Sequence, residues 1–297
     1  MNKKIMLPLI LALGLLLSQC KEVGPYVNLR NNVASSTYIE SPPQTPEPRN
    51  VLIEEITGVS CNNCPPAHAQ LDNLIAAGHV IGVSYHVGPA IFNQDNLPPY
   101  TRQDMTSADA QTVVNYLVFP GYGPTGSVDR IVHQNVGPFS ATSPWDVYTN
   151  WGGYVSTEQA GTTPVNINLV GSYSPSSKQI SISVVLHYTS AQTDSDRLSI
   201  FLTEDSIITA QLQPNGSNDT SYVHMHVMRA AVTNALGDNI SVPSYVAGRV
   251  DSVGYSYTLT PAQAAWNPAH MNIVAFVHKY QNSRTDILQA KTIKVIP

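Results

Sequence analysis

The sequence predicts an α/β domain followed by an all-β domain. Apolar stretches of strand length alternate with helical patterns over residues 51–117, an order that favours parallel strands joined by right-handed crossovers. From about residue 162 the pattern changes to short stretches of period two with turn residues between them, which is typical of antiparallel strands. Removing residues 1–19 from the 297 leaves 278, enough for two domains that each bury a core.

The composition argues against a nucleic-acid partner and suits a turn-rich extracytoplasmic protein. The formal net charge is −5, and no stretch of the chain concentrates Lys or Arg. Nucleic-acid-binding proteins carry a basic patch or stripe, which this chain lacks at the sequence level. Charged residues make up 12% of the chain, well below the roughly 25% typical of soluble domains.

The first residues have the pattern of a secretory signal peptide. Lys3 and Lys4 provide a positively charged start, and residues 5–17 form an apolar core. This core is too short for a comfortable membrane span, which takes about 20 residues. We therefore expect residues 1–19 to be removed as a signal peptide.

The end of this segment indicates a lipid anchor. Leu17-Ser18-Gln19-Cys20 resembles the lipobox of bacterial lipoproteins, although Gln19 is bulkier than the residue usually found before the modified cysteine. Lipidation of Cys20 leaves one pair among the three cysteines, which fits an oxidising compartment. Lys21 follows Cys20 where a retention signal would have Asp, so we expect an anchor in the outer membrane, on its periplasmic or cell-surface face.

Residues 20–48 combine the lipidated cysteine with a segment rich in Pro, Ser and Thr. Such a composition buries little surface and is typical of an extended tether. We expect this tether to hold the next domain, residues 49–160, away from the membrane.

The chemistry is concentrated in a strand, a Cys-x-x-Cys motif and a helix over residues 51–78. Aliphatic residues predict the strand, apolar residues at helical spacing predict the helix, and Gly78 suits the residue that ends it. Two prolines follow Cys64 in the first helical turn, where a missing amide proton costs nothing. This arrangement places Cys61 just outside the helix N-terminus and Cys64 in its first turn.

That placement predicts a reactive thiol at Cys61. Unpaired amides and the positive end of the helix dipole stabilise a thiolate and lower the pKa of an exposed cysteine. Cys61 is the predicted nucleophile, and Cys64 can then attack a mixed disulfide at Cys61 and release the product. The alternative is an inert disulfide. A zinc site needs about four ligands and the chain has no second cysteine pair, so we expect neither a metal nor a cofactor.

Further elements of the first domain follow the motif. Residues 80–86 predict a strand, residues 107–117 a helix, and residues 119–130 a turn that leads into another strand. A closing helix is predicted over residues 143–159, with Ser143 as its N-cap.

The order of elements, the Cys61-Asn62-Asn63-Cys64 motif and Pro124-Thr125 before a strand together resemble the thioredoxin fold. The resemblance implies a cis peptide bond between Gly123 and Pro124. It also implies that Pro124 and Thr125 lie against the cysteine pair and offer backbone groups to a bound peptide.

The thioredoxin resemblance also implies a buried acid that assists proton transfer. Glu55, six residues before Cys61, is at the matching position, and its neighbour Glu54 is the alternative. The chain departs from the thioredoxin pattern at Ser60, where those proteins usually have Trp, and at the central Asn62-Asn63 dipeptide.

Residues 161–297 predict an immunoglobulin-like antiparallel β-sandwich of about seven strands, whose partner the sequence does not indicate. The predicted strands cover residues 165–170, 179–186, 198–203, 221–227, 254–259, 271–278 and 286–294.

A narrower resemblance spans most of residues 49–297. The lipobox, the cysteine segment, the Gly-Pro-Thr-Gly turn at residues 123–126 and the stretch at residues 222–229 resemble the outer-membrane-protein-28-related lipoproteins. This resemblance implies a thioredoxin-like domain followed by a β-rich C-terminal domain, and it implies little about activity.

Three histidines are candidates for a role at a site. His224 and His226 lie two apart and would share one face of a strand, either as a metal-binding pair or as ordinary hydrogen-bonded residues, and the second interpretation is favoured. His68 lies one turn after Cys64, so it either reaches the redox site or points to solvent.

Two functional hypotheses follow. The first is an outer-membrane-anchored lipoprotein that exchanges disulfides with extracytoplasmic protein thiols or disulfides, with catalytic Cys61 and Cys64, Glu55 as proton acceptor, and Pro124 and Thr125 holding the substrate. The second is a non-enzymatic surface binding or adhesion lipoprotein with a structural disulfide.

Overall fold

The computed structural model describes residues 33–87, 96–119, 121, 123–133, 143–193, 195–240, 245–280 and 285–296. These residues contain three α-helices, α1 (Cys64–Ala77), α2 (Ala108–Tyr116) and α3 (Trp151–Gln159). The predicted bounds of α1 and α2 are confirmed. The predicted signal peptide and Cys20 lie outside the described residues.

The described residues also contain fifteen β-strands, which we number in chain order. They are β1 (Val33–Ile39), β2 (Val51–Thr57), β3 (Val80–His86), β4 (Thr125–Val128), β5 (Trp145–Asp146), β6 (Val165–Ser174), β7 (Gln179–Tyr188), β8 (Asp196–Glu204), β9 (Ile207–Leu212), β10 (Asn218–His224), β11 (Val227–Ala231), β12 (Asp238–Asn239), β13 (Arg249–Thr258), β14 (Met271–Lys279) and β15 (Ile287–Lys294).

The largest sheet has nine strands in the order β15-β14-β8-β11-β3-β2-β4-β5, with β12 pairing β8. β2 and β3 are parallel, as the sequence predicts, and Glu55 is in register with Ser84. Every residue of both strands is buried. Strands that are buried on both faces usually consist almost entirely of apolar residues. Glu54 and Glu55 in β2 are therefore exceptions to this pattern.

The nine-stranded sheet joins the two halves of the chain. β11 runs parallel to β3 with Val227 beside Ser84, and it pairs antiparallel with β8 on its other side. Arg49 donates hydrogen bonds of 2.8 Å to Asp129 and to the carbonyl of Ile287. The strands on either side of residue 160 therefore share one sheet, which pairs backbone groups that would otherwise form exposed edges.

A second sheet has four antiparallel strands in the order β1-β13-β7-β6. It packs on β8, β14 and β15 through an apolar core that includes Ile167, Val184, Ile200 and Ile273. β7 alternates between buried and exposed residues over much of its length, which matches its predicted period of two. The fold is β-rich with several sheets, as predicted; the thioredoxin-like and immunoglobulin-like assignments stay predictions.

Part of the segment predicted as a tether is a strand. β1 pairs antiparallel with β13, and the Thr37 hydroxyl donates to the carbonyl of Val250 at 3.1 Å. Pro48 also forms a bridge with Thr162. The edge of β13 provides backbone partners for a segment with few apolar side chains, and composition alone does not reveal such pairing.

The closing helix begins later than predicted. Trp145 lies in β5, which pairs with β4, and α3 begins only at Trp151 after a 3-10 turn. The Trp145 side chain is fully buried and donates to the carbonyl of Leu117 at 2.9 Å. The Ser143 hydroxyl accepts from the amide of Trp145 at 3.1 Å, so it closes a local turn instead of capping a helix.

Candidate functional site

The cysteine pair lies where the sequence predicts. Cys64 begins α1, its two following prolines occupy the first turn, and Cys61 precedes the helix. The two cysteines form a disulfide with Cα atoms 5.4 Å apart. The helix N-terminus has no side-chain cap from Asn63, so its amides and dipole remain available to stabilise negative charge on sulfur.

Exposure differs between the two cysteines. Cys61 keeps 5% of its surface exposed and Cys64 keeps none. Cys61 is therefore less exposed than predicted, but it is the cysteine of the pair that solvent reaches. The roles of Cys61 as nucleophile and Cys64 as resolving residue stay predictions.

The β9–β10 hairpin packs on the loop that carries Cys61. The buried Gln211 side chain donates to the carbonyl of Cys61 at 2.8 Å and to that of Gly58 at 3.3 Å. The amide of Leu212 donates to the carbonyl of Val59 at 2.8 Å. The hairpin lies about half the chain away in sequence, and no sequence pattern at Gln211 predicts this contact.

Pro124 and Thr125 lie at the same end of the sheet as this loop. The peptide bond between Gly123 and Pro124 is cis, as the thioredoxin resemblance implies. Thr125 begins β4 in register with Ile56, near the end of β2 that leads to Cys61. Its hydroxyl donates to the carbonyl of Asp146 at 3.1 Å, so a peptide contact at Thr125 would use its main chain.

Glu54 and Glu55 lie on opposite faces of β2, because successive strand residues point in opposite directions. Glu54 faces away from α1 and accepts hydrogen bonds of 2.7 and 2.6 Å from the fully buried Arg130. The Tyr85 hydroxyl donates to the same carboxylate. Glu54 is thus committed to a buried ion pair.

Glu55 lies on the face of β2 that packs against α1. It is 3% exposed and accepts a hydrogen bond of 2.6 Å from the hydroxyl of Ser84. His68 Nε2, on α1, is 3.8 Å from the same carboxylate oxygen. Of the two acids that the sequence left open, Glu55 is the one beneath the cysteine helix.

A small polar cavity of about 20 Å³ lies between β2, β3, α1 and the β9–β10 hairpin. We call it the histidine cavity. Its polar lining is Glu55, Thr57, His68, Asp72, Ser84, His86, Tyr222, His224 and His226.

His68 and His224 face each other across the histidine cavity. His68 hydrogen-bonds Thr57 at 2.7 Å through Nε2 and the Tyr222 hydroxyl at 2.8 Å through Nδ1. The His224 ring centroid is 5.4 Å from that of His86 and 6.4 Å from that of His68. His224 Nδ1 is buried with no hydrogen-bond partner among the described residues.

Burial keeps two of these histidines neutral. Burial lowers the pKa of His68, and burial together with the neighbouring His86 and His68 lowers the pKa of His224 to about 2. Burial also opposes the charge of His226, but hydrogen bonds to Asp205 and Asp72 outweigh it and raise the pKa of His226 to about 9. His226 therefore carries a positive charge at neutral pH.

The two histidines predicted to share a strand face do not do so. β10 ends at His224, and His226 has a positive φ of 59° before β11 begins. His226 forms ion pairs with two carboxylates: its Nδ1 is 3.3 Å from Asp205 Oδ1, and its Nε2 is 3.4 Å from Asp72 Oδ1. In the part of the chain that the structure describes, no three His, Cys, Asp or Glu residues are arranged to hold a metal ion.

Sequence reasoning missed Gln211, Tyr222 and the role of His86 in the cavity. Tyr222 and His224 belong to the 222–229 stretch that carried the family resemblance, but that pattern does not indicate what they contact. Among the described helices, none is long and apolar enough to cross a membrane.

Two solved structures share the fold of most of the chain. HBP35 of Porphyromonas gingivalis is 17% identical with a TM-score of 0.59, over 83% of this chain and 75% of that chain. A protein from Agrobacterium tumefaciens is 13% identical with a TM-score of 0.50, over 84% of this chain and 96% of that chain. At these identities the likeness concerns the fold alone.

A domain of the outer membrane lipoprotein Omp28 from P. gingivalis aligns with 46% of this chain and 90% of that chain, at 20% identity and a TM-score of 0.31. No curated protein matches the chain.

The family described as outer membrane protein Omp28 matches residues 114–296, well over half of the 297 residues. The match confirms the predicted outer-membrane localisation. It begins after Glu55, Cys61 and Cys64, so family membership by itself carries no statement about these three residues. The chain belongs to the Omp28 family of outer membrane proteins.

Proposed function

We propose that this protein exchanges disulfides with extracytoplasmic client proteins through Cys61 and Cys64. The observation that carries the proposal is the disulfide at the uncapped N-terminus of α1, with surface left on Cys61 alone of the pair. Glu55 beneath the same helix and Pro124 at the same sheet end add the parts that a thioredoxin-like domain uses.

The exchange has two balanced steps. The Cys61 thiolate attacks a client disulfide, forms a mixed disulfide and expels one client sulfur as a thiolate. Cys64 loses its proton to Glu55 and attacks Cys61, which forms the Cys61–Cys64 disulfide and releases the second client sulfur. The client gains the two electrons that the cysteine pair loses, and the reverse sequence oxidises a client dithiol.

Client binding uses the main chain beside the cysteines. Pro124 has no amide hydrogen, and the Thr125 side chain is bonded to Asp146. An extended client peptide would therefore pair with backbone groups near residues 123–125, as in β-strand addition. Such pairing tolerates many client sequences.

Attachment to the outer membrane is through lipidated Cys20. Because β1 pairs with β13, residues 33–39 of the predicted tether belong to the folded part of the protein.

A second function is favoured by the burial of Cys61 under the β9–β10 hairpin. In that case the disulfide is a structural link and the protein binds partners at the surface without catalysis. The hydrogen bonds from Gln211 and Leu212 to the cysteine loop are the observation that supports this alternative.

The reduction potential of the pair tests the proposal. The full chain carrying Cys20→Ser leaves Cys61 and Cys64 as its two thiols and keeps β1. Structural disulfides lie below about −300 mV, whereas catalytic pairs spread from roughly −270 to −120 mV. A potential in the upper range supports exchange; a potential well below about −300 mV supports the structural alternative.

Trapping of clients provides the second test. A Cys64→Ser variant is expected to accumulate mixed disulfides with extracytoplasmic proteins, because the resolving sulfur is absent. Cys61→Ser is the matched control, since its remaining thiol is buried. Equal capture by both variants would contradict the assigned roles.

A further inference from the structure

The buried acid of the proposed exchange needs a route for its proton. This inference rests on the proposed function, in which Glu55 takes a proton from Cys64. Glu55 is 3% exposed and lies between β2 and α1. A carboxyl group in that position cannot exchange its proton directly with bulk water at each turnover.

The polar side chains of Ser84 and His68 adjoin the Glu55 carboxylate. Ser84 donates to it at 2.6 Å, but Ser84 is itself buried and leads no further outward. His68 Nε2 lies 3.8 Å from the same oxygen, and 13% of the His68 side chain is exposed. The outward route therefore runs through His68.

His68 is bonded on its far side to a residue at the surface. Its Nδ1 is 2.8 Å from the hydroxyl of Tyr222, whose side chain is partly exposed on the β9–β10 hairpin. His68 also follows Cys64 by four residues on α1, so the two side chains lie on the same helix face, one turn apart. The path thus begins beside the resolving cysteine and ends at solvent.

The gap between Glu55 and His68 is within the reach of proton transfer. A separation of 3.8 Å is longer than a direct hydrogen bond. The adjoining histidine cavity of about 20 Å³ has room for one water molecule. One water, or a small rotation of the imidazole, connects the two groups.

We propose that His68 and Tyr222 carry the proton between Glu55 and solvent. Nε2 of neutral His68 breaks its hydrogen bond with the Thr57 hydroxyl and takes the proton of Glu55, and the Nδ1 proton goes to the Tyr222 oxygen. The hydroxyl proton of Tyr222 leaves to water, so no net charge remains on the path. His68 acts through Glu55 and is a positioning residue rather than a catalytic one.

The electrostatics of the cavity agree with this role. Burial lowers the pKa of His68, so its ring is neutral before transfer and gives the proton up readily. The groups that face His68 from the surrounding elements are Glu55 on β2, His86 on β3, Asp72 on α1, Tyr222 and His224 on β10, and His226 before β11.

The test uses the full chain with Cys20→Ser, reduced and mixed with an aromatic disulfide whose thiolate is coloured. The first equivalent of colour reports attack by Cys61, and the second reports resolution by Cys64. His68→Gln is expected to slow release of the second equivalent roughly 10- to 100-fold and to leave the first unchanged. This loss of rate is no larger than the usual contribution of general acid–base catalysis.

A mutant cycle separates proton transfer from a packing role. Glu55→Gln is expected to slow the second equivalent as much as His68→Gln does, and the double variant no further, since both residues act in one path. Tyr222→Phe keeps the aromatic ring and is expected to slow the same step. It therefore tests the proton path even if His68→Gln folds poorly. His270→Gln, at an exposed site, is the matched control.

The outcomes are distinct. Wild-type rates for both His68→Gln and Tyr222→Phe, or additive losses in the double variant, would overturn the proton path while exchange itself stands. If the wild-type chain never releases the second equivalent, the proposed function fails and the path fails with it. Imidazole in the buffer should restore the second equivalent in His68→Gly, whereas pyrrole, a ring of the same size without a basic nitrogen, should not, as expected for proton transfer rather than packing.

Discussion

Removal of the Gln211 side chain is expected to open access to the disulfide. Gln211 is fully buried and donates to the carbonyls of Cys61 and Gly58 at 2.8 and 3.3 Å. Both carbonyls keep a main-chain donor, Cys64 for the first and Cys61 for the second, so Gln211→Ala leaves neither without a partner. Its own Oε1 is buried with no partner among the described residues.

The magnitude follows from these contacts. A net hydrogen bond is worth about 0.5–1.5 kcal/mol, and the lost contacts together weaken the hold of the hairpin on the loop by about 1–2 kcal/mol. If a thiol reaches the disulfide only after the β9–β10 hairpin moves, its rate rises by the same factor. Since about 1.4 kcal/mol is tenfold, we expect reduction of the disulfide roughly 5- to 30-fold faster in Gln211→Ala.

The assay follows reduction of the oxidised chain by dithiothreitol in native buffer, beside denaturant unfolding of the same samples. Gln213→Ala is the control, because Gln213 lies on the same hairpin and its side chain bonds only weakly to the Gln211 carbonyl, at 3.3 Å. An unchanged rate of reduction, with Gln211→Ala folded, would refute the idea that the hairpin controls access to the cysteines.

Three further predictions concern stability. Glu54→Gln is expected to lower the free energy of unfolding by about 3–5 kcal/mol, because it leaves the buried Arg130 charge unpaired; denaturant unfolding measures this loss. The rate of exchange with the aromatic disulfide is expected to stay unchanged. The pKa of His226 is raised to about 9, so its stabilisation is complete below about pH 6.5 and is lost as the pH rises through 9; Asp205→Asn should flatten this part of the stability profile. Deletion of residues 33–39 uncovers the edge of β13 and is expected to lower the unfolding midpoint and promote association, seen by gel filtration.

Local sequence signals predicted the elements that hold the cysteines. α1 ends at Ala77 and is followed by Gly78, which has the positive φ of 102° that glycine accepts readily. α2 begins after Ser107, whose hydroxyl accepts from the amide of Ala110. These signals act within a few residues of one another. Helix bounds of this kind follow from the chain itself.

Tertiary contacts overrode the local pattern around residue 145. The sequence there suits a helix, yet Trp145 forms a strand beside β4 and fills a buried site against Leu117. Burying a large aromatic ring outweighs the modest preference of a short segment for helix. Periodicity within the segment does not contain that information.

The sequence by itself determined the order β2-α1-β3-α2, the position of Cys61 and Cys64 at the start of α1, and the family to which the chain belongs. Only the tertiary structure decided that Glu55, rather than Glu54, lies beneath that helix, and that Gln211 and Tyr222 cover the cysteine loop and His68. The first set depends on neighbours along the chain. The second depends on contacts between separate elements, which for Gln211 and Tyr222 join residues about 150 positions apart and are set by the sheet that joins both halves of the protein.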